Sequence, residues 1–351
     1  MTEEQRNIQN EAEHVQQQIF PSKQYKPAIG YGGQFAVLIG LTGTFLFIGS
    51  LLTIIVTCSV FHLNLLSPNI RAEISAVLLR PENALFAQLL NTGFSFVSFF
   101  IPTIIVAAIA NRKNPFAYIQ FNTKISINQA AIIIVLIIFG MMLSGLLGEL
   151  TEKIPLPATL LKKAKELEDN YNDALSGMIA LKTVKDYLIA LVVIALAPAI
   201  FEETFFRGGF QKILTGWTKN IWFSIIFTSL FFSAVHFSYF GFLSRFALGM
   251  LLGFVFYYSG NIWLNILLHF LNNGIAVTQL YFLVRSGKSI DKAMKEDVFQ
   301  FNNNLYVLLG FTIAVIAIIV IVFKWFKTES KKINPDTAQV IPSISNNPFE
   351  E

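Results

Sequence analysis

The sequence predicts an all-α membrane protein, a multi-pass transmembrane helical bundle of about eight spans. Hydrophobic residues make up 54% of its 351 residues and charged residues only 14%, whereas a soluble domain carries about 25% charged residues. With 35 phenylalanines, the chain has too few polar side chains to cover a water-soluble globule of this size. Its apolar residues also fall into runs of about 20, which is the length of a helix that crosses a bilayer.

Charge and cysteine usage exclude other classes of protein. A net charge of only +4 in so apolar a chain excludes a disordered protein, because disorder needs low hydrophobicity and high net charge. The single cysteine, Cys58, excludes an internal disulfide framework and a cysteine-rich zinc or iron–sulfur cluster. We expect membrane lipids to surround the protein, and we expect no nucleic-acid partner.

The predicted spans follow the apolar runs in chain order. Pro102 lies inside the second run, where neighbouring helices can satisfy the backbone groups that proline leaves unpaired. Very short connections join the fifth, sixth and seventh runs, so these helices are expected to be antiparallel neighbours. The spans cover residues 35–60, 85–110, 130–148, 188–206, 221–240, 243–258, 262–284 and 305–326.

Polar segments divide the predicted bundle into parts. The first 30 residues are polar and acidic, so we expect no cleavable signal peptide. After the third span, residues 160–178 have the amphipathic spacing of a surface helix. The predicted parts are a polar N-terminal arm (1–32), N-terminal transmembrane helices (33–150), a polar amphipathic loop (151–186), a helical core (187–284), a loop with the last transmembrane helix (285–327) and a disordered tail (328–351).

Ionisable residues at the end of the fourth run are the first functional signal. A charge at the bilayer centre costs at least about 2.5–3.5 kcal/mol, yet Glu202, Glu203 and Arg207 follow this run closely. On a helix, Glu203 and Arg207 lie one turn apart and can pair, while Glu202 lies about 100° round the axis. Pro198, one turn earlier, predicts a kink. Snorkelling charges at a helix end are the simpler alternative, but adjacent carboxylates followed by Phe-Phe make a poor interfacial anchor.

Two of the four histidines lie in later apolar runs. His236 is in the fifth run, and His269 lies one turn before Asn273 on one face of the seventh, where Asn272 is expected to face elsewhere. Such groups can simply bridge helices. A carboxylate with an imidazole can also deprotonate water, and a second imidazole with an amide can stabilise a tetrahedral intermediate. The combination indicates hydrolysis inside the membrane.

These residues form motifs in a fixed order: Glu202-Glu203-x-x-x-Arg207, Phe232-x-x-x-His236, Phe246-Ala-Leu-Gly249-x-x-x-Gly253 and His269-x-x-x-Asn273. In order and spacing they resemble the CAAX protease and bacteriocin-processing (CPBP) family, the Rce1-like Abi proteins. The resemblance covers residues 188–280, about a quarter of the chain. The helical core at 187–284 would then be the catalytic part of the molecule. Gly249 and Gly253 would be a small-xxx-small packing face.

The resemblance implies an intramembrane endopeptidase with an active site in a cavity open to lipid and water. It indicates no substrate-binding residues. It implies that the general base is Glu202 and its partner His236, that the oxyanion hole is His269 with Asn273, and that the structural support is Glu203 with Arg207.

The resemblance leaves the metal requirement open. The family is often labelled metalloprotease, and zinc accepts two histidines with a carboxylate; its ligands here would be Glu202, His236 and His269. Against zinc, an HExxH motif is absent and Asn is a rare zinc ligand. The same residues work equally well with a glutamate-activated water. We therefore favour no cofactor, with zinc as the alternative.

The expected substrate is a membrane-associated peptide or protein. In eukaryotic relatives it is a prenylated C-terminal CaaX sequence, cut after the modified cysteine. Prokaryotic relatives are associated with peptide maturation, bacteriocin self-immunity or regulated proteolysis, and nothing in these residues selects among them. The expected location is a bacterial cytoplasmic membrane, in which the chain is a multi-pass integral protein.

Two other functions remain as alternatives. A secondary transporter would also place carboxylates, arginine and histidine beside a broken helix at mid-membrane. It predicts an internal repeat, but the Glu-Glu-x-x-x-Arg motif occurs once. A catalytically inactive immunity or scaffold protein of the same fold would lack one of the four catalytic positions, and here all four are present.

Overall fold

The computed structural model of the protein describes residues 29–111, 114–121, 124–179, 181–288, 290 and 304–333. Every regular element in those ranges is a helix, which confirms the predicted all-α class. In chain order the helices are α1 (Tyr31–Phe61), α2 (Ile70–Leu78), α3 (Pro81–Ala110), α4 (Pro115–Tyr118), α5 (Ile127–Glu152), α6 (Ala158–Gly177), α7 (Val184–Thr218), α8 (Ile221–Ala234), α9 (Phe242–Ser259), α10 (Ile262–Arg285) and α11 (Leu305–Ile333).

Within the described residues, seven helices are long and apolar enough to cross a bilayer: α1, α3, α5, α7, α9, α10 and α11. Several carry large apolar side chains on their outer faces, and Phe47 of α1 is 72% exposed. A soluble protein seldom exposes so much contiguous apolar surface. The protein is therefore an integral, multi-pass membrane protein.

The predicted fifth span, 221–240, is wrong in its length. Helix α8 ends at Ala234 after 14 residues, so it is about 21 Å long and shorter than a hydrocarbon core of about 30 Å. The chain then turns, and Phe237 adopts a left-handed backbone with φ of 52°. Apolar residues continue through this turn, which is why hydropathy alone does not detect it. His236 consequently lies in the turn after α8 and not deep within a helix.

Wide π-helical turns precede a proline in both α3 and α7. Residues Phe96–Phe100 form such a turn before Pro102, and Leu191–Leu196 form another before Pro198. Proline lacks a backbone N–H and its ring collides with the carbonyl four residues earlier, so the helix opens at these places. The distortion predicted at Pro198 is present in this form. A further π segment of α7, Thr204–Gln211, is buried throughout.

The helices that carry the ionisable residues are packed by large apolar side chains. One apolar cluster joins α1, α3, α7 and α8 around Phe206 and Phe232. A second cluster joins α5, α9, α10 and α11, with Leu252 and Leu268 near its centre. Helices α8 and α9 approach closely at Gly249, where a Cβ would lie 3.1 Å from the Cα of Ser229. This contact agrees with a packing role for the Gly249/Gly253 pair.

The polar segments differ slightly from their predicted bounds. The amphipathic stretch forms α6 at the surface. Gly177, at the end of α6, lies close to Leu79: a Cβ added to Gly177 would be 3.1 Å from the Leu79 Cα. Helix α11 continues past the predicted end at 327 to Ile333. Two parts of these predictions lie outside the described residues: the tail at 334–351 and the arm at 1–28. The expected absence of a signal peptide concerns this arm.

Candidate active site

Glu203 and Arg207 form a buried ion pair on α7, as their spacing predicts. Arg207 Nη1 donates to Glu203 Oε1 at 2.9 Å, and both side chains are fully buried. Arg207 Nη2 also donates to the Gly249 carbonyl of α9 at 3.2 Å. The guanidinium carbon lies 4.8 Å from the centroid of the Phe232 ring, within cation–π range. Arg207 therefore connects α7 to both α8 and α9.

The Glu203 carboxylate also receives two side chains from α10. His269 Nδ1 lies 2.8 Å from Glu203 Oε1, and Asn265 Nδ2 donates to Glu203 Oε2 at 3.3 Å. Because an ionised carboxylate only accepts hydrogen bonds, His269 Nδ1 carries the proton in this contact. The other ring nitrogen, Nε2, is then directed away from Glu203 and is available to a substrate or water.

Asn265 is a site residue that the sequence reasoning missed. It also donates to the Leu252 carbonyl of α9 at 2.7 Å, so it fixes α10 against both α7 and α9. Its position offered a signal, since Asn265, His269 and Asn273 follow one another at four-residue spacing on one face of α10. A polar residue one turn before His269 in an apolar helix marks an inter-helix contact.

Glu202 contrasts with its neighbour Glu203. Its Oε2 atom is buried and has no hydrogen-bond partner within the part of the chain that the structure describes. The charged groups near it are Glu203, Arg207, Arg245 and His269. Glu202 thus lies near the same charged groups that surround Glu203, but its Oε2 accepts no hydrogen bond from the described residues.

His236 reaches the cluster from the turn after α8. Its Nδ1 contacts the Phe232 carbonyl at 2.8 Å, and since a carbonyl only accepts, Nδ1 carries the proton and Nε2 is the available nitrogen. The Phe232 ring lies 5.0 Å from the ring of His236 and 5.8 Å from the ring of His269. Phe232 therefore packs against both imidazoles.

Asn273 lies one turn beyond His269 on α10. Its Oδ1 accepts a hydrogen bond of 3.1 Å from Nδ2 of the adjacent Asn272. This contact occupies the carbonyl end of the Asn273 carboxamide. The amide end carries two N–H donors.

A bound zinc ion needs at least three converging protein ligands. Within the described ranges, no three His, Cys, Asp or Glu side chains converge in a way that could hold one ion. The set Glu202, His236 and His269, which a zinc site would need, is not assembled as ligands of a common centre.

One comparison with known proteins finds a match. Residues 184–275 match the family model described as "Type II CAAX prenyl endopeptidase Rce1-like". The match begins at the start of α7, extends into α10 and includes Glu202, His236, His269 and Asn273, so the resemblance drawn from the motifs is confirmed. No curated protein and no solved structure matches the chain.

Proposed function

Because residues 184–275 match the family model of the Rce1-like type II CAAX prenyl endopeptidases, we propose that the protein is an intramembrane endopeptidase. It hydrolyses a peptide bond of a membrane-associated peptide or protein by means of a water molecule that Glu202 activates. Prenylated C-terminal CaaX sequences are one substrate class of this kind. The expected setting is a bacterial cytoplasmic membrane.

The contrast between the two adjacent glutamates carries this proposal. Glu203 accepts hydrogen bonds from Arg207, His269 and Asn265, so protonation of Glu203 would weaken each of these contacts. No donor among the described residues reaches the buried Oε2 of Glu202, and that oxygen can take a proton from water. A general base needs such a free acceptor within reach of the reacting atoms.

The proposed reaction uses protein groups and water only. Glu202 takes one proton from water, with the available Nε2 of His236 helping to hold that water, and the oxygen attacks the carbonyl carbon of the scissile bond. The carbonyl oxygen becomes an oxyanion. It accepts a hydrogen bond from an N–H of Asn273 and a second one from Nε2–H of His269, whose ring is then the imidazolium with a proton on both nitrogens. The C–N bond then breaks, and Glu202 returns the proton to the leaving amine.

The remaining polar residues hold this arrangement together. Arg207 and Asn265 fix Glu203, and Glu203 fixes the orientation of the His269 ring. Partners that orient a reacting histidine in this way typically affect function by about 10–100-fold when they are removed from metal sites, and a similar dependence is expected here. Glu203 and Arg207 thus have supporting roles and do not take part in bond breaking.

A cleavage assay in reconstituted vesicles tests the proposal. A library of membrane-anchored peptides, with and without a prenylated CaaX end, is incubated with wild type, His269→Ala and a surface control, Glu166→Gln of α6, each with and without a strong chelator. We expect cleavage by wild type and the control, loss of cleavage in His269→Ala, and no effect of the chelator. Cleavage that a chelator abolishes and zinc restores would contradict the metal-free reaction. No cleavage by folded wild type would favour the transporter or the inactive scaffold.

A further inference from the structure

Arg245, in the first turn of α9, is a charged residue that the proposed reaction does not use. Its Nη1 atom is buried and has no hydrogen-bond partner among the described residues. A buried guanidinium nitrogen without a partner is costly, because the group loses its hydration. Such an atom in a site points to a ligand that completes it.

The guanidinium of Arg245 lies over the same turn that carries His236. A Cβ added to Gly241 would collide with Arg245 Nη1 and would lie 2.8 Å from Ser238 Oγ. Because Gly241 has no side chain, the guanidinium of Arg245 can occupy this space. Arg245 is one of the charged groups near His236 and Glu202. Arg245 thus lies against the turn that carries His236, close to the proposed base.

Helix α6 closes the other side of Arg245. The ring of Tyr171 lies 4.6 Å from the Arg245 guanidinium carbon, in cation–π contact. One turn earlier, Glu168 Oε2 accepts from Ser238 Oγ at 2.9 Å and from the Phe240 N–H at 3.3 Å. These contacts use the Glu168 carboxylate to hold the turn. They leave Arg245 fixed by an aromatic ring, which orients the guanidinium without neutralising its charge.

From this geometry we infer that Arg245 binds a carboxylate of the substrate next to the scissile bond and so determines specificity. A planar guanidinium pairs with a carboxylate through two parallel hydrogen bonds, which gives both affinity and direction. Every peptide with a free C-terminus carries such a group. An acidic side chain near the cut is the other source of the same chemistry. The enzyme would therefore cleave peptide bonds close to a carboxylate and would not cleave uncharged internal sequences.

This inference rests on the proposed peptidase function, and three matched peptides test it. They share one membrane-anchored sequence and end in a free acid, in an amide, or in an amide preceded by glutamate. KM and kcat are measured for wild type, Arg245→Gln, Arg245→Lys and an exposed control, Arg71→Gln. Binding of the same peptides is measured in the Glu202→Gln background, where no cleavage is expected.

We expect wild type and the Arg71 control to show a KM about tenfold lower for at least one carboxylate-bearing peptide than for the plain amide, which corresponds to about 1.4 kcal/mol. Arg245→Gln should lose this preference in KM among the three peptides, and Arg245→Lys should recover part of it. Gly241→Ala, which keeps the charge but displaces the guanidinium, should resemble Arg245→Gln. Preference for the free acid identifies the C-terminus as the ligand, and preference for the glutamate peptide identifies a side chain.

Three results would overturn the inference. Wild type could bind all three peptides equally, Arg245→Gln could keep the preference, or Arg245→Gln could lower kcat equally on every peptide without changing the ratio of their KM values. A folded-state control by thermal unfolding accompanies each variant, and a destabilised Arg245→Gln is replaced by Gly241→Ala as the deciding variant. A carboxylate preference in binding without any cleavage by wild type would contradict the peptidase function and leave the role of Arg245 standing.

Discussion

Removal of the Arg207 side chain should destabilise the protein severely. In the Arg207→Ala variant, Glu203 remains fully buried and loses the only cation that pairs with it on α7. Breaking a buried ion pair by removing one partner typically costs about 3–5 kcal/mol. Arg207 also donates to the Gly249 carbonyl and lies against the Phe232 ring, so the loss should reach at least this range. Domains are stable by only about 5–15 kcal/mol, so the variant should be close to unfolding.

Reversible unfolding in mixed micelles measures this change, with the fraction folded followed by circular dichroism as the denaturing detergent is increased. The double variant Arg207→Ala with Glu203→Gln removes the uncompensated charge, and it should be less destabilised than the sum of the two single variants. A coupling energy well above about 0.5 kcal/mol is expected, because contacting groups are not additive. If Arg207→Ala unfolded within about 1 kcal/mol of wild type, the interpretation of this pair as the support of the site would be wrong.

Two further changes test the neighbouring contacts. Asn265→Ala should lower kcat by about 10–100-fold with a smaller change in KM, because it removes a donor that fixes Glu203; a kcat within twofold of wild type would contradict that role. Gly253→Val should destabilise the protein by about 1–3 kcal/mol, because a Cβ there would already lie 2.8 Å from Ile225 Cγ2. Gly310→Ala is its control in open space on α11, and equal unfolding midpoints for the two variants would contradict close packing of α8 against α9.

Much of the fold follows from the sequence because apolar run length reports directly on transmembrane helices. Hydropathy cannot locate a backbone turn inside an apolar run, and for this reason the end of α8 at Ala234 was placed too late. The opposite error occurred in α11. Its apolar run ends before Thr328, but helical hydrogen bonding continues through polar residues to Ile333, since a helix does not need apolar side chains outside the bilayer.

Contacts between site residues on one helix could be predicted from the sequence, but contacts between helices could not. Four-residue spacing was enough to pair Glu203 with Arg207, because both lie on α7. The contact between Glu203 and His269 depends on how α7 packs against α10, and no local pattern encodes that packing. Asn265 was overlooked because a single amide in an apolar run does not indicate a function until its hydrogen-bond partner is known. Arg245 was overlooked because it lies at the start of a span, where basic residues are ordinary.

The rate of peptide cleavage by Glu202→Gln tests the central claim most directly, because this change keeps the shape of the side chain and removes only its ability to take a proton. Wild type and variant are compared in the same vesicles on one cleaved peptide, with unfolding curves showing that both are folded. A general base contributes about 10²–10⁴-fold, so the variant should be slower by at least about 100-fold at an unchanged unfolding midpoint. Cleavage by folded Glu202→Gln at the wild-type rate would contradict Glu202 as the base.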